Sequence, residues 1–192
     1  MGRTIAIVGG SSLTNELAND VSPDVEVWGL NAIHGSLSVP ASRWFQLHPL
    51  DWRENGLPYG RAPVHYQWLK TCGIPVYMNY PDPDIPTAVK YPVNAVVDRF
   101  GYFLVGTPAY MLALALHEGD VESIEMYGVD LCGDPVEYIK QRPSLAYFIG
   151  LARGMGVEVI MPPNSPLLKA PLYAIDEWPD LTPPSVRALG VA

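Results

Sequence analysis

Short apolar runs alternate with helix-forming stretches along most of the chain. The first run, Thr4-Ile-Ala-Ile-Val8, is β-prone and predicts a buried strand. Further strands are predicted at 25–28, 43–47, 74–78, 121–127 and 157–161, and helices at 13–20, 62–71, 93–100, 107–116 and 145–155. Because strands that alternate with helices favour a mostly parallel sheet with helices on both faces, we expect a single Rossmann-like α/β domain.

The helix predicted at 107–116 has the strongest local signals. Thr107 is a good N-cap residue, and Pro108 is tolerated in the first turn of a helix. The eight residues that follow, 109–116, are apolar around the whole helix apart from the hydroxyl of Tyr110. A helix that is apolar on every side is buried, so this one is expected inside the core.

Proline-rich stretches interrupt the alternation. Residues 50–61 predict a loop, and residues 79–92, with four prolines and two aspartates, predict an irregular exposed loop. Seven prolines follow between 162 and 192, in a stretch that has no core of its own. We therefore divide the chain into a domain at 1–168 and a proline-rich tail at 169–192.

Composition narrows the class of protein. A chain of 192 residues is long enough for one domain with a full core, and 48% hydrophobic with 17% charged residues is typical of a soluble globular protein. No apolar run in the sequence is long enough to cross a bilayer, and we expect no signal peptide before the first strand. The two cysteines, Cys72 and Cys132, form neither a disulfide framework nor a zinc motif. We expect a cytoplasmic protein without a metal site.

Charge says less about partners. The net charge of −8 argues against extensive non-specific binding of nucleic acid, although it does not exclude a local basic groove. The sequence does not determine the oligomeric state, and a homo-oligomer is compatible with it.

A turn of small residues follows the first predicted strand. Gly9 and Gly10 let the backbone bend sharply and approach a ligand closely, and Ser11 or Ser12 can cap a helix that starts near Leu13. A strand, such a turn and a helix N-terminus together predict a site for a phosphate-like anion. The alternative is a tight turn without a ligand.

Polar residues also stand at the ends of three other predicted strands. Asn31 is compatible with a ligand contact or with an Asx turn. His48 is compatible with a general base, with a hydrogen-bond donor to phosphate or with a structural histidine. Asp130 fits a contact to a ribose hydroxyl, a cation ligand or a cap. Because the carboxyl ends of parallel strands meet at one edge of the sheet, these residues and the glycine turn are expected to lie together.

A polar cluster lies just beyond Asp130. It contains Glu137, Tyr138, Lys140 and Arg142. Such a cluster is compatible with a solvated helix start. It is also compatible with a diphosphate site, because arginine contacts phosphate in a bidentate manner.

Several short motifs, in order along the chain, resemble the bacterial sialyltransferases of lipooligosaccharides and the related hydroxymethylpterin pyrophosphokinase-like Rossmann proteins. They are Gly-Gly-Ser-Ser-Leu at 9–13, Trp-Gly-Leu-Asn at 28–31, Thr-Pro-Ala-Tyr-Met-Leu-Ala-Leu-Ala at 107–115, Ile-Glu-Met-Tyr-Gly-Val-Asp at 124–130 and Pro-Asn-Ser-Pro-Leu-Leu at 163–168. The motifs are short, and residues 50–100 show no similarity to either family.

The resemblance implies a nucleotide-sugar site and transfer of a sugar from a nucleotide donor. It places the nucleotide against the turn residues Gly9, Gly10, Ser11 and Ser12 and against Asn31. We add Thr107, Gly128 and Asp130 as further candidates for nucleotide contacts. His48 corresponds to a family residue near the donor phosphate and is our candidate base. Tyr138 and Arg142 are candidate donors to the leaving phosphate, whereas Cys132 stands where the family has a first tyrosine.

Two alternatives stay open. In the sialyltransferases the catalytic-base histidine lies in a later insertion, and here no histidine follows His117. This difference favours a non-catalytic nucleotide-binding module. A pyrophosphoryl transferase is the second alternative, and it would need Mg²⁺ and carboxylates near Asp130, for which Asp82, Asp84 and Asp98 are the other candidates.

Overall fold

A parallel sheet of seven strands forms the centre of the molecule. The computed structural model describes residues 2–50, 53–54, 57–58, 63–131 and 135–169. Its strands are β1 (Arg3–Val8), β2 (Glu26–Leu30), β3 (Arg43–Phe45), β4 (Arg53–Glu54), β5 (Leu57–Pro58), β6 (Val76–Met78), β7 (Ala88–Lys90), β8 (Val121–Tyr127) and β9 (Glu158–Ile160). The short pair β4 and β5 is antiparallel and separate from the sheet.

The strand order is β7-β6-β3-β2-β1-β8-β9. From β1 the chain builds outward through β2, β3, β6 and β7, and then returns to the other side of β1 with β8. The direction of winding therefore reverses between β1 and β8. This arrangement confirms the predicted Rossmann-like α/β fold.

Alternate residues of β1 enter the two halves of the core. Ile5 and Ile7 pack on one face of the sheet with α2 (Val93–Phe100), α3 (Thr107–Glu118) and α4 (Pro135–Gly154). As predicted, α3 is the central helix of this layer, and Met111 to Leu116 are each at most 2% exposed. Burial of this kind stabilises the sheet by roughly 25 cal/mol for each Å² of apolar surface removed from water.

The opposite face is covered by less helix. Leu69 of α1 (Pro63–Thr71) packs against Trp44 and the β6 residues Val76 and Met78. Ala18, in a short 3₁₀ helix (Asn15–Asp20), packs against β1 and β2. Helices therefore lie on both faces, as predicted, with three α-helices on one face and α1 with 3₁₀ segments on the other.

The helix predicted at 13–20 is wrong in type and start. The structure has a 3₁₀ helix at Asn15–Asp20, and its N-cap residue, Thr14, makes no capping bond. Asn15, Asn19 and Asp20 are poor helix formers, because their side chains compete with the helical backbone bonds. The segment therefore makes only the tighter, shorter helix.

Two other boundaries differ from the predictions. The strand β7 lies inside the predicted loop 79–92, where it pairs along β6 from Ala88 to Lys90. Helix α4 begins at Pro135 rather than at 145, and it continues through an internal proline, Pro143. Pro143 is exposed, as is Ile139, the residue whose carbonyl loses its helical partner.

The remaining predicted strands and helices are confirmed within a few residues. From residue 170 onward the predicted tail lies outside the described residues, as does most of the predicted loop 50–61. The described part of that loop differs from the prediction, because it contains the paired strands β4 and β5. In the described part of the chain, no helix has the length and apolar character needed to span a membrane.

Candidate functional site

A cavity of about 730 Å³ opens at the carboxyl ends of the central strands. Its lining comes from the ends of four strands and from two helices. It consists of the turn at 9–13, Leu30 at the end of β2 and Asn31 after it, His48 after β3, Val129 and Leu131 after β8, and Thr107, Pro108, Glu137, Tyr138 and Gln141 of α3 and α4. The sequence prediction that strand-end residues meet at one edge is therefore confirmed for the glycine turn, Asn31 and His48.

The glycine turn passes directly over the end of β8. The backbone N–H of Gly9 donates to the Tyr127 carbonyl at 2.8 Å, and that of Ser11 donates to the Gly128 carbonyl at 2.9 Å. A Cβ atom on Gly9 would lie 2.4 Å from the carbonyl oxygen of Gly128, which no side chain could tolerate. Glycine is thus required here for backbone-to-backbone approach, and Ser11, Ser12 and Leu13 are left to line the cavity.

Thr14 fastens this turn to the end of β8. Its hydroxyl accepts a hydrogen bond from the backbone N–H of Gly128 at 2.7 Å and donates one to Asp130 Oδ2 at 2.8 Å. Thr14 and Asp130 are each 1% exposed. Asp130 therefore supports the turn from behind, while its neighbours Val129 and Leu131 line the cavity. Sequence analysis did not identify Thr14, because its partners lie more than a hundred residues away.

Asn31 has an unusual backbone and an unpartnered oxygen. Its φ angle is +51°, in the left-handed region that asparagine tolerates better than most residues. Its backbone donates to the Phe45 carbonyl and accepts from Trp44 Nε1 at 2.9 Å. The side-chain Oδ1 is buried without a hydrogen-bond partner. Since buried polar atoms are nearly always bonded, this oxygen is suited to receive a ligand donor.

Two amide side chains, one fully buried and one half-buried, hold the chain at His48. Gln46, which is fully buried, donates from Nε2 to the His48 carbonyl at 3.2 Å, and Asn79 Nδ2 donates to the Leu47 carbonyl at 3.3 Å. His48 lies between the main cavity and an adjacent one of about 410 Å³. It is therefore a well-held residue in a position where it can meet two ligands.

A second histidine, His65, is connected to His48 through Gln46, and no sequence pattern predicts this connection. His65 of α1 is 2% exposed, and its Nε2 lies 2.9 Å from Oε1 of Gln46. Burial, with a smaller contribution from His34, lowers the pKa of His65 to about 4. His65 is thus neutral at physiological pH and belongs to the support of this edge of the sheet.

Positive charge is scarce in the cavity. Among the described residues that line it there is no lysine or arginine, and Glu137 is the one carboxylate. Because the 3₁₀ helix after the glycine turn has only six residues, it offers no anion site of the predicted kind. The N-terminus of α3, where Thr107 and Pro108 line the cavity, is the helix end that provides partial positive charge here.

Arg142 is engaged elsewhere. Its guanidinium group donates to the carbonyl oxygens of Pro166 at 2.7 Å and Leu167 at 3.1 Å. These bonds hold the segment 163–169 against α4, and Asn164 Nδ2 then donates to the Leu13 carbonyl at 3.1 Å. Tyr138 lines the cavity as predicted, whereas Arg142 does not contribute to its lining.

The predicted absence of a metal cluster stays a prediction for the whole chain. In the described ranges, no group of three or more His, Cys, Asp or Glu side chains is placed to hold an ion. Asp82 and Asp84 lie around the Tyr66 hydroxyl, which donates to Asp84 Oδ2 at 3.3 Å, and Cys132 lies outside the described residues.

Comparison of the chain with protein-family models, with curated proteins and with solved structures gave no match.

Proposed function

We propose that this protein binds a nucleotide sugar in the cavity at the ends of β1, β2, β3 and β8, and that it transfers the sugar to an acceptor. The observation that carries the proposal is the position of the cavity beside the reversal of strand order between β1 and β8. Open α/β sheets bind ligands at this point because the chain diverges there and leaves a crevice.

The lining supports a ligand with both hydroxyl groups and phosphate. The buried Oδ1 of Asn31 needs a hydrogen-bond donor, which a ribose hydroxyl or a base amino group supplies. The N-terminus of α3, where Thr107 and Pro108 line the cavity, suits an anionic phosphate. A compact nucleotide diphosphate also fits a cavity of about 730 Å³.

In the proposed reaction, an acceptor hydroxyl attacks the anomeric carbon of the donor sugar. His48 takes the proton of that hydroxyl, since a neutral imidazole is a competent base near neutral pH. The bond from the anomeric carbon to the phosphate oxygen breaks, and its electron pair stays on the phosphate. Tyr138 donates a hydrogen bond to that oxygen. Arg142 can take part only if its guanidinium exchanges the carbonyls of Pro166 and Leu167 for the phosphate.

Isothermal titration with cytidine and uridine nucleotides and their sugar conjugates tests the proposal. The variant Asn31→Gly removes the side-chain amide and keeps the left-handed backbone. We expect it to weaken binding by about tenfold, the effect of one lost hydrogen bond. The control Asn94→Gly removes an exposed amide from α2, outside this cavity, and should bind like the parent. Absence of nucleotide binding by the parent protein would overturn the proposal.

A second candidate function is nucleotide binding without transfer. The scarcity of lysine and arginine among the described lining residues favours it, because a departing diphosphate needs neutralisation. Mass spectrometry of protein incubated with a nucleotide sugar separates the two functions. Release of the free nucleotide that His48→Gln abolishes selects transfer, and tight binding with an intact donor selects the module. The Mg²⁺-dependent alternative receives no support from the described carboxylates.

A further inference from the structure

Two histidine side chains meet next to Gln46, and neither of them lines the cavity. His34 lies in a short 3₁₀ helix (Ile33–Gly35), and His65 lies in the first turns of α1. Their Nδ1 atoms are 3.3 Å apart. The Trp68 ring stacks on His34 with 4.7 Å between ring centroids, so the imidazole of His34 is held on its face as well as at its edge.

The hydrogen bonds around Gln46 determine which nitrogen of His65 carries its proton. Gln46 donates from Nε2 to the His48 carbonyl, which leaves Oε1 as the atom that meets His65 Nε2. An amide oxygen only accepts, so His65 Nε2 is the donor and carries the hydrogen. The neutral ring therefore directs the lone pair of its Nδ1 at His34.

This arrangement has the features of a metal-binding imidazole. Histidine ligands in metal sites donate their other ring N–H to a carbonyl or carboxylate, which fixes the tautomer, and His65 does so to Gln46. Two nitrogens bound to one tetrahedral zinc ion at about 2.0–2.1 Å are about 3.3–3.4 Å apart. The separation of the two Nδ1 atoms is of this size.

We propose that His34 and His65 bind a divalent transition-metal ion such as Zn²⁺ or Ni²⁺ through their Nδ1 atoms. The site is distinct from the proposed nucleotide cavity and does not depend on its function. Without metal, His34 Nδ1–H donates to His65 Nδ1. On binding, that hydrogen leaves Nδ1 and the neutral ring of His34 carries its hydrogen on Nε2, so the ion takes two lone pairs with no net proton release.

One side of the site is open to solvent, and the other is buried. His34 is partly exposed, and water can complete the coordination on its side. Since the described residues offer no third ligand of the usual kind, the affinity should be that of a two-histidine chelate, well below that of a four-ligand zinc site.

Titration of the chelator-treated, desalted full-length protein with Zn²⁺ or Ni²⁺ alone tests the site. We expect one ion per chain and a higher melting temperature. The variant His34→Gln replaces a partly exposed side chain by one of similar size. It should weaken metal binding by more than about tenfold. The control His117→Gln, on α3, should bind like the parent. In ¹⁵N spectra of histidine, the metal should shift the Nδ1 signals of His34 and His65.

Three results would overturn the proposal. They are no binding by the parent protein, equal binding by the His34→Gln variant, and binding that shifts only the signals of other histidines. Each is independent of nucleotide binding, because none of these measurements contains a nucleotide.

Discussion

Single side chains at the carboxyl edge of the sheet serve as supports for the loops that line the cavity. Thr14 joins the glycine turn to β8, and Gln46 joins β3 to the chain at His48. Both are almost fully buried, so each of their polar atoms needs a partner inside the protein. The loops are thus held by specific hydrogen bonds rather than by apolar packing alone.

Replacement of Thr14 by valine tests this at the residue scale. Valine keeps the shape, but it leaves the Gly128 N–H and one lone pair of Asp130 without their partner in a buried place. We expect a loss of about 1–3 kcal/mol in the free energy of unfolding, measured by urea denaturation. Thr71→Val, at the exposed end of α1, is the matched control and should change little. Equal stability of the two variants would contradict the supporting role of Thr14.

At the scale of elements, the most informative feature is the segment 163–169 that follows β9. Arg142 holds it on α4 through two carbonyl groups, and Asn164 connects it to the glycine turn. The segment also buries Leu167, which is 5% exposed. It therefore connects the last described part of the chain to one wall of the cavity.

The variant Arg142→Ala should release this segment. Hydrogen bonds to charged groups contribute about 1.5–3 kcal/mol, so we expect faster hydrogen exchange at 163–169 and a loss of stability of that order. Arg153→Ala is the control, because Arg153 makes one long bond of 3.4 Å to the Val159 carbonyl. If Arg142→Ala abolishes nucleotide binding while exchange at 163–169 stays slow, Arg142 contacts the ligand instead.

Local sequence patterns predicted most elements, since strands, the buried helix α3 and the glycine turn each have a short-range signal. The edge strand β7 was missed because its three residues stand between prolines and pair only with β6. The start of α4 was missed because Pro143 argues against a helix interior. At the site, the contacts of Gln46 with His65 and of Arg142 with Pro166 join residues far apart in sequence, and no local pattern contains them.

At the scale of the whole molecule, the amino edge of the sheet, where the strands begin, differs from the carboxyl edge, where they end. At the amino edge, Arg3 and Arg43 form ion pairs with Glu26 and Glu118, and Arg43 Nη1 lies 2.6 Å from Glu118 Oε1. The Arg43 guanidinium also stacks over the Trp28 ring at 4.6 Å. This network connects β1, β2, β3 and α3. The amino edge is therefore built for stability, and the cavity lies at the other edge.

The variant Arg43→Gln tests this separation. Partly exposed ion pairs contribute little singly, so we expect a loss of about 1 kcal/mol that diminishes at high salt. The nucleotide affinity of Arg43→Gln should equal that of the parent. Asn31→Gly should instead weaken nucleotide binding and leave the free energy of unfolding unchanged. Denaturation at low and high salt, with titration calorimetry on both variants, makes the comparison. A drop in nucleotide affinity for Arg43→Gln would contradict it.

The place of β1 in the sheet also governs the order in which the molecule can be assembled. β1 is the earliest strand in the sequence, yet one of its two neighbours is β8, and the paired side chains Thr4 and Ser123 are 119 residues apart. Contacts between such distant segments slow folding, because a long loop must close first. During synthesis on the ribosome, one edge of β1 therefore stays unpaired until β8 has emerged.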